Sequence, residues 1–313
     1  MLSIEGEGDS SKTVGFAQVP EGFRAGFVAI IGRPNVGKST LTNVMVGSKV
    51  AITSERPETT RRAIRGVVHL PAAQLVLVDT PGIHRPRTLL GERLNEMADE
   101  PLAEVDAVVV CFPADQDIGP GDRYILSKLD GTRFPVIAAV TKTDLVSPDR
   151  VVRALQEVSQ VWDFQEIVPL SARSGHQVDL LTELLVALMP PSPPLYPADQ
   201  VSDESVETRI AELVREAALS RARQELPHSI AVQVEEVIPA DDGTVQVIVN
   251  LFVERDSQKG IVIGRRGAGI SQIRRRVQRP VSLLLGRKAH LDIHVRTAKN
   301  WQRDPKMLVR LGF

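Results

Sequence analysis

The chain has 313 residues, 42% hydrophobic and 25% charged, which suits about two domains that each bury a core. Its single cysteine, Cys111, excludes an internal disulfide, and no apolar run approaches the roughly 20 residues that would span a bilayer. The formal net charge of −1 hides an asymmetry, because residues 255–313 carry roughly +12 and leave roughly −13 before them, as if a basic module followed an acidic one.

Residues 1–20 are polar and contain Gly and Ser, without the cationic, apolar, small-residue order of a signal peptide, and are expected to be a disordered tail. An apolar strand-like run, residues 26–31, then leads into Gly32-Arg33-Pro34-Asn35-Val36-Gly37-Lys38-Ser39, the G-x-x-x-x-G-K-[ST] phosphate loop. Its glycines let backbone N–H groups turn inward around an anion. The helix expected over residues 38–46 points its positive end at the same place. Lys38 would reach the terminal phosphates of a nucleoside triphosphate, and the Ser39 hydroxyl would bind Mg²⁺.

Downstream, Pro57-Glu58-Thr59-Thr60-Arg61-Arg62 is polar and lacks helical periodicity, which suits the first nucleotide-sensing loop of a GTPase, spanning Glu58 to Arg62. Thr60 is the choice for the Mg²⁺ and γ-phosphate contact, with Thr59 the alternative. Val- and Ile-rich runs at residues 75–78, 107–112, 136–140 and 166–170 alternate with helical segments, predicting a mostly parallel sheet covered on both faces. Ligands of such folds lie beyond the carboxyl ends of the strands, where the remaining motifs fall. In Asp79-Thr80-Pro81-Gly82, Asp79 would hold the metal through water and the Gly82 N–H would meet the γ-phosphate. Cys111, inside an apolar run, reads as a small buried hydrophobe and fits a reducing cytoplasm. Thr141-Lys142-Thr143-Asp144 resembles the Asn-Lys-x-Asp base-reading motif of GTPases, with threonine for asparagine. A carboxylate at Asp144 can accept from both N1–H and the 2-amino group of guanine. Loss of one neutral hydrogen bond at position 141 is worth about 0.5–1.5 kcal/mol, so weaker binding with guanine preference retained is expected. Ser171-Ala172-Arg173 resembles the last guanine-contacting loop of this class, in which the Ala N–H meets the base oxygen.

The proline-rich residues 189–197 prevent helix continuation and predict an extended joint. The expected organisation is a tail at 1–20, a nucleotide domain at 21–190, a linker at 191–204 and a second domain at 205–313. That domain opens with an amphipathic helix over residues 205–224, followed by a hairpin of strands at 229–238 and 244–253. Gly264-Arg265-Arg266-Gly267 then provides the G-x-x-G of a KH RNA-binding module, in an αββααβ order that is the type II arrangement. Gly264 and Gly267 allow a sugar-phosphate chain to approach the backbone, and Arg265 and Arg266 supply cations at the tip. Arg274 and Arg275, with Arg276, Arg279, Arg287 and Lys288, either line the RNA path or form a solvated face. Trp301 either stacks a base or packs against the domain.

The phosphate loop, Thr-Thr-Arg, Asp-Thr-Pro-Gly-Ile-His-Arg-Pro, Leu90-Gly91-Glu92-Arg93-Leu94-Asn95 and the KH-like half together resemble the Era family of bacterial GTPases over nearly the whole chain after the tail. The resemblance implies an α/β P-loop GTPase domain followed by a smaller α+β type II KH domain. It further implies a cytoplasmic, monomeric, Mg²⁺-dependent GTP-hydrolysing switch that binds 16S ribosomal RNA near its 3′ end and assists 30S subunit assembly. Peripheral contact with the cell membrane is an accessory expectation from relatives, and Asn35 is a candidate ligand for a K⁺ ion. Ras-like relatives place a water-ordering glutamine after Asp-x-x-Gly, whereas Ile83 stands here, with His84 adjacent, so intrinsic hydrolysis should be slow. Rival readings are a GTP- and RNA-binding protein with negligible catalysis and a membrane-surface GTPase regulator.

Overall fold

Short β-branched runs buried on both faces need cover on two sides, and the first half of the chain supplies it with alternating helices. The computed structural model describes residues 20–53, 59–83, 89–100, 104–220 and 229–312. Strands β1 (Arg24–Ile31), β2 (Ile64–Leu70), β3 (Ala73–Asp79), β4 (Ala107–Pro113), β5 (Val136–Thr141) and β6 (Glu166–Pro169) form one sheet in the order β2-β3-β1-β4-β5-β6. All neighbours are parallel except β2 and β3. Every residue of β3, β4 and β5 is buried. Helices α1 (Lys38–Val46) and α5 (Val178–Leu188) cover one face, and α3 (Pro120–Ser127) and α4 (Pro148–Ser159) the other, with α2 (Leu89–Asp99) preceding β4.

Helix α1 has the predicted bounds, and the predicted strands are present within a residue or two of their ends. Strand β2 was not predicted. It joins β3 through Pro71-Ala72, a two-residue link without the Asn-Gly or Asp-Gly signal that marks a hairpin.

The proline-rich joint forms no helix, and it is bound to the first domain. Ala25 N–H donates to Pro190 O at 3.2 Å and Ser192 N–H to Phe23 O at 3.1 Å. The buried Gln74 side chain accepts from the N–H groups of Leu195 and Tyr196 and donates to the Tyr196 carbonyl, all within 2.7–2.9 Å.

The second domain runs α6 (Val206–Leu219), β7 (Ala231–Pro239), β8 (Val245–Val253), α7 (Asp256–Ile263), α8 (Ala268–Leu285) and β9 (Ala289–Thr297), the predicted αββααβ order. Its sheet is β7-β8-β9, with β7–β8 antiparallel and β8–β9 parallel. Helices α6 and α8 pack their apolar stripes on one sheet face. A further helix, α9 (Pro305–Leu311), was not foreseen, although Asp304 followed by Pro305 is a cap-then-proline start, and Asp304 accepts from Lys306 N–H at 2.9 Å. Its Leu308 and Leu311 join Phe252, Trp301 and, from α2, Leu90 and Leu94 in a core shared by both domains. The predicted tail up to residue 19 and the helix end at 221–224 lie outside the described residues.

Candidate functional site

Three left-handed or strained positions shape the phosphate loop: Gly32 at φ 150°, Asn35 at φ 63° and Gly37 at φ 106°. A Cβ at Gly32 would lie 2.9 Å from both Cys111 O and a Val36 methyl, so only glycine fits there. Gly37 caps α1, leaving the first N–H groups of that helix facing a cavity of about 570 Å³. The cavity is lined by Pro34, Asn35, Gly37, Lys38 and Ser39 from the loop, Thr59 and Thr60, Gly82, Lys142 and Arg173. Thr40, Ile52 and Thr53 also line it and were missed in the sequence. Thr40 was recoverable as the next residue of the α1 first turn, whereas nothing local marks Ile52 and Thr53.

Lys38 is 5% exposed and donates to the carbonyls of Gly32 at 3.1 Å and Arg33 at 3.0 Å. Burial lowers its pKa, and the neighbouring Asp79 opposes that shift. Arg33 itself turns away from the cavity, its Nε donating to Asp122 Oδ1 at 2.8 Å and so bracing the loop on α3. Val36 is in the core.

At the next strand end, three oxygens converge. Ser39 Oγ donates to Asp79 Oδ2 at 2.6 Å and lies 2.8 Å from Thr60 Oγ1, which is 3.4 Å from the same carboxylate oxygen. Of the two threonines considered, it is Thr60 that brings its hydroxyl here. Asp79 Oδ1 is buried without a hydrogen-bond partner, and burial pushes the carboxyl up to about 6 against the pull of Lys38, Ser39 and Thr60. A carboxylate with an unmet buried oxygen beside two hydroxyls is a hard-oxygen donor set that fits Mg²⁺. Thr80 donates to Ile30 O at 2.9 Å, and with Pro81 it carries the chain to Gly82, where a Cβ would lie 2.7 Å from Pro34 N. Gly82 therefore rests against the phosphate loop itself. Ile83 is 1% exposed in the core and presents no polar group to a water. Glu58 and His84 lie outside the described residues.

Behind the phosphate loop, Thr141 is buried and donates to Val36 O at 2.6 Å; of its motif, Lys142 lines the cavity. Lys142, at φ 58°, reverses the chain into the short helix Thr143–Leu145, which leaves Asp144 exposed. Ser171 Oγ donates to Asp144 Oδ1 at 2.6 Å, so the loop with Ser171, Ala172 and Arg173 holds the Asp144 carboxylate in place. Buried Cys111 has its thiol pushed up to about 12 by burial and is inert at neutral pH.

The remaining candidates of the first sensing loop point into the second domain. Arg61 Nη1 donates to Ile230 O at 2.6 Å, and its guanidinium lies 5.5 Å from the centre of the Trp301 ring. Arg62 donates to Leu311 O. Trp301 is fully buried, and its Nε1–H donates to Ser229 O at 3.0 Å, which settles its two readings in favour of packing.

In the second domain, the G-x-x-G turn joins α7 to α8. Gly264 has φ 72°, and a Cβ there would lie 2.8 Å from Gly269 N, so the end of α7 and the start of α8 meet at backbone contact. Gly267 has φ 78° and caps α8. Arg265 and Arg266 are exposed at the tip, the latter in the left-handed region at φ 49°. Arg275 is exposed, Arg274 is half-buried, and Arg276 is tied to Ser220 Oγ at 2.8 Å.

A family model described as 50S ribosome-binding GTPase matches residues 27–142, and a KH domain model matches residues 225–302. The chain is 52% identical over 301 residues to GTPase Era of Nocardioides sp., covering 93% of this chain and 96% of that protein. It is 53% identical over 296 residues to GTPase Era of Mycobacterium avium, covering 93% and 99%. Among solved structures, Era in complex with MgGDPNP and nucleotides 1506–1542 of 16S ribosomal RNA matches with a TM-score of 0.90 at 34% identity, over 93% of this chain and 99% of that one. Aquifex aeolicus Era Y63A bound to GDP and AlF4⁻ matches equally well. The chain belongs to the Era family of GTPases.

Proposed function

We propose that this GTPase is a switch that binds 16S ribosomal RNA near its 3′ end through the G-x-x-G face of its second domain and assists assembly of the 30S subunit. The observation that carries the reading is the G-x-x-G turn with exposed Arg265 and Arg266, in a chain whose 34% identical relative was solved with that RNA region and MgGDPNP. In this reading the phosphate-loop N–H groups and Lys38 cradle the β- and γ-phosphates, and Ser39, Thr60 and Asp79 hold Mg²⁺. The ion supplies positive charge to the phosphate oxygens. Asp144, aligned by Ser171, selects guanine, and Lys142 and Arg173 flank the base end. Because Ile83 is sealed in the core, turnover without a partner is slow. Asn35, in the cavity wall, is the proposed K⁺ ligand, and turnover that is equal in Na⁺ and K⁺ buffers would remove that role. The chain acts as a monomer. Its exposed cations also suit peripheral contact with anionic lipid, which co-sedimentation with liposomes at low salt tests.

GTP orders Thr60 and Gly82, and equilibrium coupling requires that GTP and RNA then raise each other's affinity by the same factor. The test is binding of labelled RNA matching the small-subunit 3′ end, against a scrambled strand, at two salt concentrations with a GTP analogue or GDP. Sequence-dependent binding favoured by the analogue is expected. Weak, salt-erased and nucleotide-blind binding would overturn the switch.

A further inference from the structure

The loop that carries Thr60 is gripped at both stems by two successive residues of the second domain. On the incoming stem, Glu216 of α6 accepts from Lys49 Nζ at 2.6 and 2.8 Å and from the Thr53 N–H at 3.1 Å. On the outgoing stem, Arg215 donates to Thr59 O, while its guanidinium is held by Glu212 at 2.6 and 2.8 Å. Both residues are buried, Arg215 at 2% and Glu216 at 9% exposure. Successive helical residues diverge by about 100°, which lets one turn of α6 reach both stems.

The gripped positions are those that wall the nucleotide cavity: Thr53 and Thr59 line it directly, and Thr60 follows with its hydroxyl on Ser39 and Asp79. Burying two charges is a costly way to glue domains, since apolar contacts of the same volume do so without desolvating ions. The directional bonds to backbone atoms of residues 53 and 59 instead fix where the loop stems lie.

We infer that Arg215 and Glu216 are positioning residues for the nucleotide site: acting through Thr59 and Thr53, they hold Thr60 where it meets the metal and the terminal phosphate. The second domain is then part of the GTP-sensing apparatus before any RNA arrives. This inference rests on the proposed GTP switch.

The experiment uses the full chain and measures dissociation constants for a non-hydrolysable GTP analogue and for GDP, both with Mg²⁺, together with the melting temperature. Arg215→Ala and Glu216→Gln are each expected to weaken the analogue by roughly tenfold, the scale of one charge-assisted hydrogen bond, while GDP, with which Thr60 would keep only its metal contact, is weakened by a clearly smaller factor of about two to three. Arg215→Lys, still able to donate to Thr59 O, is expected to recover most of the loss. Equal losses for both nucleotides would reduce the pair to structural support, and no loss for either would make the grip irrelevant; both outcomes overturn the inference. A wild-type chain that fails to prefer guanine over adenine nucleotides would overturn the proposed function itself, whatever the variants do.

Discussion

Thr141 donates its hydroxyl to the Val36 carbonyl at 2.6 Å, so the residue at which the proposed base-reading motif departs from the usual asparagine ties that motif to the phosphate loop. The departure does not leave a gap. Thr141→Val keeps the shape, removes the hydroxyl and strands a carbonyl inside the protein, a loss of about 1–3 kcal/mol. The expected outcome is roughly 5- to 150-fold weaker binding of both GDP and a GTP analogue with guanine preference retained, since Asp144 is untouched. Fluorescent-nucleotide titration reads this directly, and unchanged affinity would mean that the tether does not shape the loop.

Specificity is expected to follow the Ser171–Asp144 contact at 2.6 Å. Asp144→Asn converts a double acceptor into a group that offers a donor, so preference should move from guanine to xanthine nucleotides. Ser171→Ala should weaken GTP by a few-fold without changing which base is preferred, because the carboxylate remains and loses only its alignment. Competition of GTP, XTP and ATP against labelled GDP separates the two variants. Retained GTP selectivity in the Asn variant would refute the role of Asp144.

What could be read from the sequence was the chemistry confined to single turns. The Gly32-to-Ser39 loop demands glycine where φ reaches 150° and 106°, and such demands leave a spaced signature in the chain. The same holds for Asp79 after β3 and for Gly264 and Gly267 between two helices. Contacts between distant polar residues leave no such trace. Arg215 is 156 positions from the Thr59 carbonyl that it holds, and its place in a helical pattern reads only as a charged residue on an amphipathic face. Arg33 lies inside the phosphate-loop motif, yet its side chain serves Asp122 on α3, a partner 89 residues away. Trp301 offered two readings because an aromatic near basic residues looks the same in sequence whether it stacks on a base or fills a core. The deciding neighbours, Leu90 and Leu94, come from the other domain.

Removing Trp301 should therefore be a test of stability and domain contact, not of base stacking. The ring is fully buried, its N–H serves Ser229 O, and Arg61 lies over it. Trp301→Ala is expected to cost about 3–5 kcal/mol in urea denaturation, and Trp301→Phe less, because it keeps most of the apolar volume. RNA affinity of a folded Trp301→Leu variant, which keeps apolar volume but cannot stack on a base, should match wild type. A steep loss of RNA affinity in that folded Leu variant would restore the stacking role.

The G-x-x-G turn separates charge from geometry, and two substitutions should divide them. Replacing Arg265 and Arg266 together by Ala leaves the turn intact, apart from easing or straining the left-handed residue 266, and removes two exposed cations. For a single strand, each phosphate that is no longer neutralised should flatten the slope of log K against log salt by about 0.7, so a reduction of up to roughly 1.4 is expected, with nucleotide affinity unchanged in the absence of RNA. Gly264→Ala keeps both cations but forces a Cβ against Gly269 N at 2.8 Å from a backbone at φ 72°, so α7 and α8 must separate. Its RNA affinity should fall at every salt concentration without the same change in slope, because the cations remain while the backbone can no longer approach the strand. If the two variants instead gave the same flattened slope, the turn would be acting only as a carrier of charge.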